Sequence, residues 1–143
     1  MMAKTVAAFT LVAALAWSGT VTAAELQVVV RPVAHDHGTV KLALYSSPET
    51  FRKEDKALAM LSQPAVPGEM TFHFDGLAAG RYAIVAYHDE NGNGKMDRFL
   101  GMIPTEGWGL SNNPEVSGPP QFEPSAFTVA DAEPTRIEID LRY

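Results

Sequence analysis

Residues 82–97 read YAIVAYHDENGNGKMD, and the first half of this stretch decides the fold. In an extended chain Tyr82, Ile84, Ala86 and His88 share one face, while Ala83, Val85 and Tyr87 share the other. Both faces are largely apolar or aromatic, which predicts a central strand covered on both sides. The second half leaves the strand directly as a loop of alternating Asp, Asn and Gly. The sequence then runs on through Glu106-Gly107-Trp108-Gly109 to Ser111-Asn112-Asn113.

Working outward, the flanking segments alternate with a period of two. Val40, Leu42 and Leu44 alternate with Lys41 and Ala43, and Met70, Phe72 and Phe74 with Thr71 and His73. Leu26 to Val30 form an apolar, β-branched run that Pro32 ends or places at an edge. Across the turn His35-Asp36-His37-Gly38, this run and the Val40 strand are expected to form a hairpin-like pair. Ile137, Ile139 and Leu141 face in while Glu138, Asp140 and Arg142 face out. Phe122, Phe127 and Val129 suggest a further strand around Pro124. Ser47-Pro48-Glu49 resembles a helix start, so one short helix is expected between about Pro48 and Leu61. From Thr105 to Pro120, Gly, Asn, Ser and Pro dominate, and irregular chain is expected. About seven short strands, one helix at most and no βαβ alternation imply an all-β protein, an antiparallel β-sandwich of the immunoglobulin or transthyretin-like kind. Phe72, Ile84, Ile137 and Ile139 are its expected core.

The front of the chain reads differently. Lys4, the apolar run over residues 6–17 and the small residues up to Val21-Thr22-Ala23 describe a signal peptide over residues 1–23. Residues 24–143 would then form a single domain in the periplasm or outside the cell. The apolar run is short for a bilayer span, and no later segment is long and apolar enough. Losing the leader removes Lys4 and no acid, so the net charge moves from -6 to -7. An acidic surface argues against nucleic acid and anionic lipid as partners. A protein or glycan of the cell envelope, met by a monomer, is the expected partner class. Cysteine is absent, so the core must hold without disulfides.

The loop offers the strongest candidate site. Asp89, Asn91 and Asn93 stand at positions one, three and five of a calcium-loop pattern, with Gly94 at six. Alternate side-chain oxygens converge on a hard cation when the chain curls, and glycine allows the sharp turn. Lys95 would offer its backbone carbonyl at position seven and Asp97 its carboxylate at nine. Position twelve is Leu100, where an EF-hand needs a bidentate Glu; Glu106 or Asn112 folding back, or water, would have to complete the shell. Calcium is the cofactor this pattern fits. The competing reading is a metal-free turn, because Asn-Gly, present twice, is a favoured hairpin dipeptide.

Other candidates are weaker. His35 and His37 flank Asp36, and His73 and His88 lie on strands; two imidazoles and a carboxylate suit zinc or copper, but the sequence does not bring them together. His88 could instead support the loop from behind. Met60, Met70, Met96 and Met102 are irregularly spaced. Trp108 could stack on a sugar or simply cover one end of the sandwich. Catalysis has little support: Ser111 lacks a nucleophile-elbow context, there is no cysteine, and Asp89, Asp97 and Glu106 are loop carboxylates of unknown separation. The reading is a non-catalytic binding or interaction module, with a glycan or peptide hydrolase as the alternative.

Several of these residues carry a family resemblance. They are Gly80-Arg81-Tyr82, His88-Asp89-Glu90-Asn91-Gly92-Asn93-Gly94, Asp97, Gly101, Pro104, Glu106-Gly107-Trp108-Gly109 and Ser111-Asn112-Asn113. Phe122-Glu123-Pro124-Ser125-Ala126-Phe127 and the ending Leu141-Arg142-Tyr143 also fit. On them the chain resembles the bacterial domain-of-unknown-function 2141 family. That resemblance implies a compact exported β-sandwich and assigns no activity.

Overall fold

The structure is a computed structural model describing residues 24–99 and 103–143. The expected signal peptide and Leu100, the twelfth loop position, lie outside the described residues. In chain order the strands are β1 (Ala24–Val33), β2 (Thr39–Tyr45), β3 (Ala59–Pro64), β4 (Gly68–Leu77) and β5 (Gly80–Asp89). They continue as β6 (Arg98–Phe99), β7 (Ile103–Pro104), β8 (Trp108–Leu110), β9 (Phe127–Val129) and β10 (Thr135–Asp140). A 3-10 turn at Glu54–Lys56 and one helical turn, α1 (Phe122–Ser125), are the helical elements among the described residues.

Two sheets face each other. One has the order β10-β1-β4; the other has the order β3-β2-β5-β8, with β9 pairing against the start of β5. Their inner faces meet in the alternating residues that the sequence points to. Leu26, Val28 and Val30 of β1, Phe72 of β4, Leu42 and Leu44 of β2, Ile84 and Ala86 of β5 and Ile139 of β10 are all fully buried. Burying a large aliphatic or Phe side chain contributes about 1.5–3 kcal/mol, so this layer drives folding. Ile137 is only partly buried, at the margin of the core.

The outer face of β5 is covered too. Ala43, Tyr45, Ala83 and Leu110 form a second apolar cluster with Phe51 and Phe122, which come from the two long loops laid over the sheet. Phe51 packs edge-on against both Tyr45 and Phe122, with ring centroids 5.5 Å and 5.9 Å apart. This second layer explains why β5 is apolar on both sides.

The structure departs from the expected organisation in several places. β1 and β2 do not form a hairpin; they lie in different sheets, and residues 34–38 turn the corner between them. Both edges of β1 are already taken, by antiparallel β4 and by β10. The β1–β10 pair is parallel, because the chain crosses from β9 in one sheet to β10 in the other. The expected helix is reduced to the 3-10 turn at Glu54–Lys56, and Leu61 instead pairs with Leu42 as part of β3. Phe122 lies in α1 rather than in a strand. β8 forms inside the segment expected to be irregular. Three residues carry no readable period, and β8 is held by its partners: Val85 and Tyr87 on one side, Arg142 on the other.

The end of the chain ties the sheets together. Leu141 N–H donates to the Arg31 carbonyl at 2.8 Å, and Arg142 exchanges two backbone hydrogen bonds with Trp108 at 2.8 and 2.9 Å. Gly109 permits this approach, since a Cβ there would lie 2.6 Å from the Asp140 carbonyl oxygen. Buried Ser111 fixes the next residue: its Oγ accepts the Ile84 N–H at 2.8 Å and donates to the Ser125 carbonyl at 2.5 Å.

Candidate functional site

β5 ends at Asp89, and its pairing with Thr39 carries that residue to the end of the sandwich. Asp89 is 1% exposed. Its Oδ2 accepts the N–H of Gly94 at 2.8 Å, while its Oδ1 is buried and finds no hydrogen-bond partner among the described residues. Gly94, at φ +83°, turns the chain so that its N–H reaches back to the loop's first residue. One carboxylate oxygen spent on the turn and one left bare is the geometry a first-position ligand needs.

The remaining loop oxygens close the turn from within. Asn91 Oδ1 accepts the Asn93 N–H at 3.2 Å, and Asn93 Oδ1 accepts the Lys95 N–H at 3.1 Å. These backbone donors fix the amide orientations, so the side-chain nitrogens point the other way. Both nitrogens donate to the Asp97 carboxylate, Asn91 Nδ2 at 2.5 Å and Asn93 Nδ2 at 2.7 Å. The amide donors, Asn93 foremost, hold the Asp97 carboxyl below its ordinary range. Each amide oxygen keeps a second lone pair beyond the N–H it accepts.

Glu106 is nearly buried and braces this loop from outside it. Its Oε2 accepts the Glu90 N–H at 2.6 Å and its Oε1 the Asp97 N–H at 2.8 Å. Thr105 N–H donates to the Asp97 carbonyl at 2.9 Å. Glu106 thus clamps both ends of the loop, while Asn112 bonds elsewhere, to the Pro124 carbonyl at 2.9 Å. Lys95 is exposed, and the Gly94 carbonyl beside it accepts from Lys41 Nζ at 3.1 Å. Behind the loop, Gly38 at φ +71° packs so closely on Asp89 that a Cβ would collide with its carbonyl oxygen.

Lys95, Met96 and Arg98 also form one wall of a groove of about 740 Å³. Tyr45, Val85, Tyr87, Trp108 and Leu110 lie along it on the outer side of the larger sheet. Arg52 to Asp55 line it as well. Burial pushes the Tyr45 hydroxyl up to about 12, with Glu54 and Asp55 adding to it; Tyr87 is raised further, by burial first and by Glu54 second. Both tyrosines are therefore neutral hydrogen-bonding groups at any physiological pH. Tyr87 Oη reaches the Gly94 carbonyl at 3.4 Å, so the groove and the loop share an atom. Trp108 is half-buried in this groove, beneath the Arg142 guanidinium at 5.5 Å, rather than capping an end of the sandwich. The groove is what sequence reasoning missed; its lining comes from six separated segments, and only the apolar outer face of β5 hinted at it.

The other candidates separate. His35, His37 and His88 come together at the corner beside the loop, whereas His73 is exposed on β4 next to Glu25. Met70 is buried in the core, Met60 is exposed on β3, and Met96 lines the groove.

No curated protein and no solved structure matches the chain. A family model does, over residues 28–138, which span both sheets, the loop and the groove. The chain belongs to the family described as uncharacterized protein conserved in bacteria (DUF2141).

Proposed function

We propose that the protein is an exported, non-catalytic binding module whose loop over residues 89–97 takes up calcium and thereby sets one wall of its ligand groove. The observation that carries this reading is the buried Asp89 carboxylate, with Oδ2 bonded to Gly94 N–H and Oδ1 bare. A bare buried carboxylate oxygen is costly unless a cation or donor meets it. Asn91, Asn93, the Lys95 carbonyl and Asp97 stand at the spacing a calcium loop uses, an ion would take the place of the Asn91 and Asn93 amide nitrogens at the Asp97 carboxylate, and Glu106 holds the loop's two ends. Lys95 and Arg98 line the groove, so ordering the loop would order cationic groups beside a ligand.

The hydrolase alternative needs two carboxylates converging on a cleft. Both Glu106 oxygens are engaged by backbone N–H groups, and the groove's own acids, Glu54 and Asp55, are neighbours on one wall. This favours recognition over turnover.

Calcium titration by calorimetry, followed in parallel by Trp108 fluorescence, tests the proposal. Few charged ligands predict a dissociation constant of roughly 10⁻⁴–10⁻³ M, with magnesium binding more weakly because it resists losing its water. A fluorescence change that saturates with the heat is expected, since Trp108 shares the groove with the loop. Absence of heat at millimolar calcium would overturn the calcium reading. Turnover of glycan or peptide substrates that Glu106→Gln abolishes would replace the module with the hydrolase.

A further inference from the structure

A second set of donors lies against the back of the same loop. The corner at residues 34–38, the end of β5 and the start of the loop bring His35, His88 and Glu90 together. Donor atoms of these three side chains all lie within 4.8 Å of one another. His88 is fully buried; His35 and Glu90 are partly exposed, with 32% and 27% of their side chains open to solvent.

The hydrogen bonds assign the tautomers. His88 Nε2 lies 2.6 Å from the His37 carbonyl oxygen, which can only accept, so Nε2 carries the proton. The lone pair is therefore on Nδ1, 2.9 Å from Tyr143 Oη, and that oxygen in turn accepts the Ala34 N–H at 3.0 Å. An imidazole whose N–H is pinned to a backbone carbonyl has its other nitrogen fixed in tautomer and direction, as in protein metal sites. His35 accepts the His37 N–H on Nδ1 at 3.2 Å, so its Nε2–H donates to Glu90 Oε1 at 2.6 Å. The His35 and His88 rings are 4.5 Å apart. Glu90 is steadied through its own N–H on Glu106.

From this geometry we infer a site for an imidazole-preferring divalent transition ion, copper(II) or zinc, held by His35, His88 and Glu90. Two imidazoles and one carboxylate supply three ligands, and the exposed side between His35 and Glu90 leaves a position for water. Uptake moves the His35 proton from Nε2 to Nδ1, frees the His37 N–H to solvent, and opens the short His35–Glu90 contact to admit the ion. The Tyr143 hydroxyl moves off Nδ1 and keeps its bond to Ala34. The site shares no ligand with the proposed calcium set, which offers only oxygen, so the two would sort hard from borderline ions.

The test titrates metal-free protein with copper(II), and separately with zinc, against a chromophoric chelator. Wild type should bind one ion per chain, copper more tightly than zinc. His35→Ala and Glu90→Gln should each weaken binding at least about 100-fold, since even loss of an outer partner costs about 10–100-fold. His37→Ala and Asp97→Asn should leave affinity unchanged. Nitrogen hyperfine structure in the copper resonance spectrum should report two imidazoles in wild type and one in His35→Ala. Three results would overturn the inference. One is no binding. Another is loss on His37→Ala with none on Glu90→Gln, which marks an exposed His-x-His contact. The last is loss on Asp97→Asn, which places the ion in the oxygen loop.

Discussion

Asp89→Asn separates the ion from the turn. The amide has the shape of the carboxylate, and its Oδ1 can still accept the Gly94 N–H that Asp89 takes at 2.8 Å. A charge-assisted bond of about 1.5–3 kcal/mol becomes a neutral one of about 0.5–1.5. Against this loss, the amide nitrogen that replaces the bare oxygen is neutral, so the substitution removes a buried, half-unpaired charge, which costs more to bury than an unpaired amide. The two changes oppose each other, so in chelator the variant should match wild-type stability to within about 1 kcal/mol. Calcium at a hundred times its dissociation constant should stabilise the wild type by about 2.7 kcal/mol. The variant lacks the charge at position one and should gain little. For a chain of this size that difference is on the order of 10 °C in melting temperature. Differential scanning calorimetry of both proteins, in chelator and in calcium at matched ionic strength, reads it directly. Equal melting of the wild type in calcium and chelator would refute the reasoning. So would an equal calcium shift in the variant, because the bare Oδ1 would then have no part in binding.

Three further outcomes follow from the geometry. Ser111→Ala should cost about 1–3 kcal/mol in chemical denaturation, because it strands the buried Ile84 N–H and the Ser125 carbonyl; an unchanged midpoint would mean those groups find other partners. Gly38→Ala should destabilise by at least about 1–3 kcal/mol from backbone strain, with the collision on Asp89 adding to it, and should weaken calcium binding as well. The Asp97 carboxyl, followed by carbon NMR, should titrate below its ordinary 3.8 in calcium-free protein and move up toward it in Asn93→Ala. Because the folded value is depressed, the stability Asp97 contributes is complete above the unfolded value and is lost as pH falls through the folded one. Its effect should thus appear only in acid unfolding below about pH 4.

Much of the framework was legible because a two-residue period survives in the sequence wherever a strand buries one face. Val40 to Leu44, Met70 to Phe74 and Ile137 to Leu141 all show it, and β5 shows its double coverage. What was not legible depends on partners distant in sequence. Nothing near Leu26 says that β1 pairs with β10 rather than β2, and nothing in Trp108-Gly109-Leu110 announces a strand that exists because Tyr87 and Arg142 flank it. The Asp-x-Asn-x-Asn-Gly spacing exposed the loop. Glu106 was one option for the missing ligand, and its two short N–H contacts give it a different part, bracing the loop's ends. His35 and His88 were visible as residue types, but Glu90 was not seen as their companion, because a sheet corner rather than a motif spacing joins them.

The parallel pairing of β1 with β10 has a consequence for how the chain acquires its shape. The smaller sheet cannot be finished until the final strand has arrived, since β1 waits between β4 and a partner at the opposite end of the polypeptide. Such long-range closure is slow compared with hairpin formation, because the entropy of a very large loop is lost before the contact rewards it. Until then one edge of β1 stays unpaired and vulnerable to joining another molecule. A chain built this way leaves its smaller sheet one strand short until β10 is in place, however early β1 and β4 have paired.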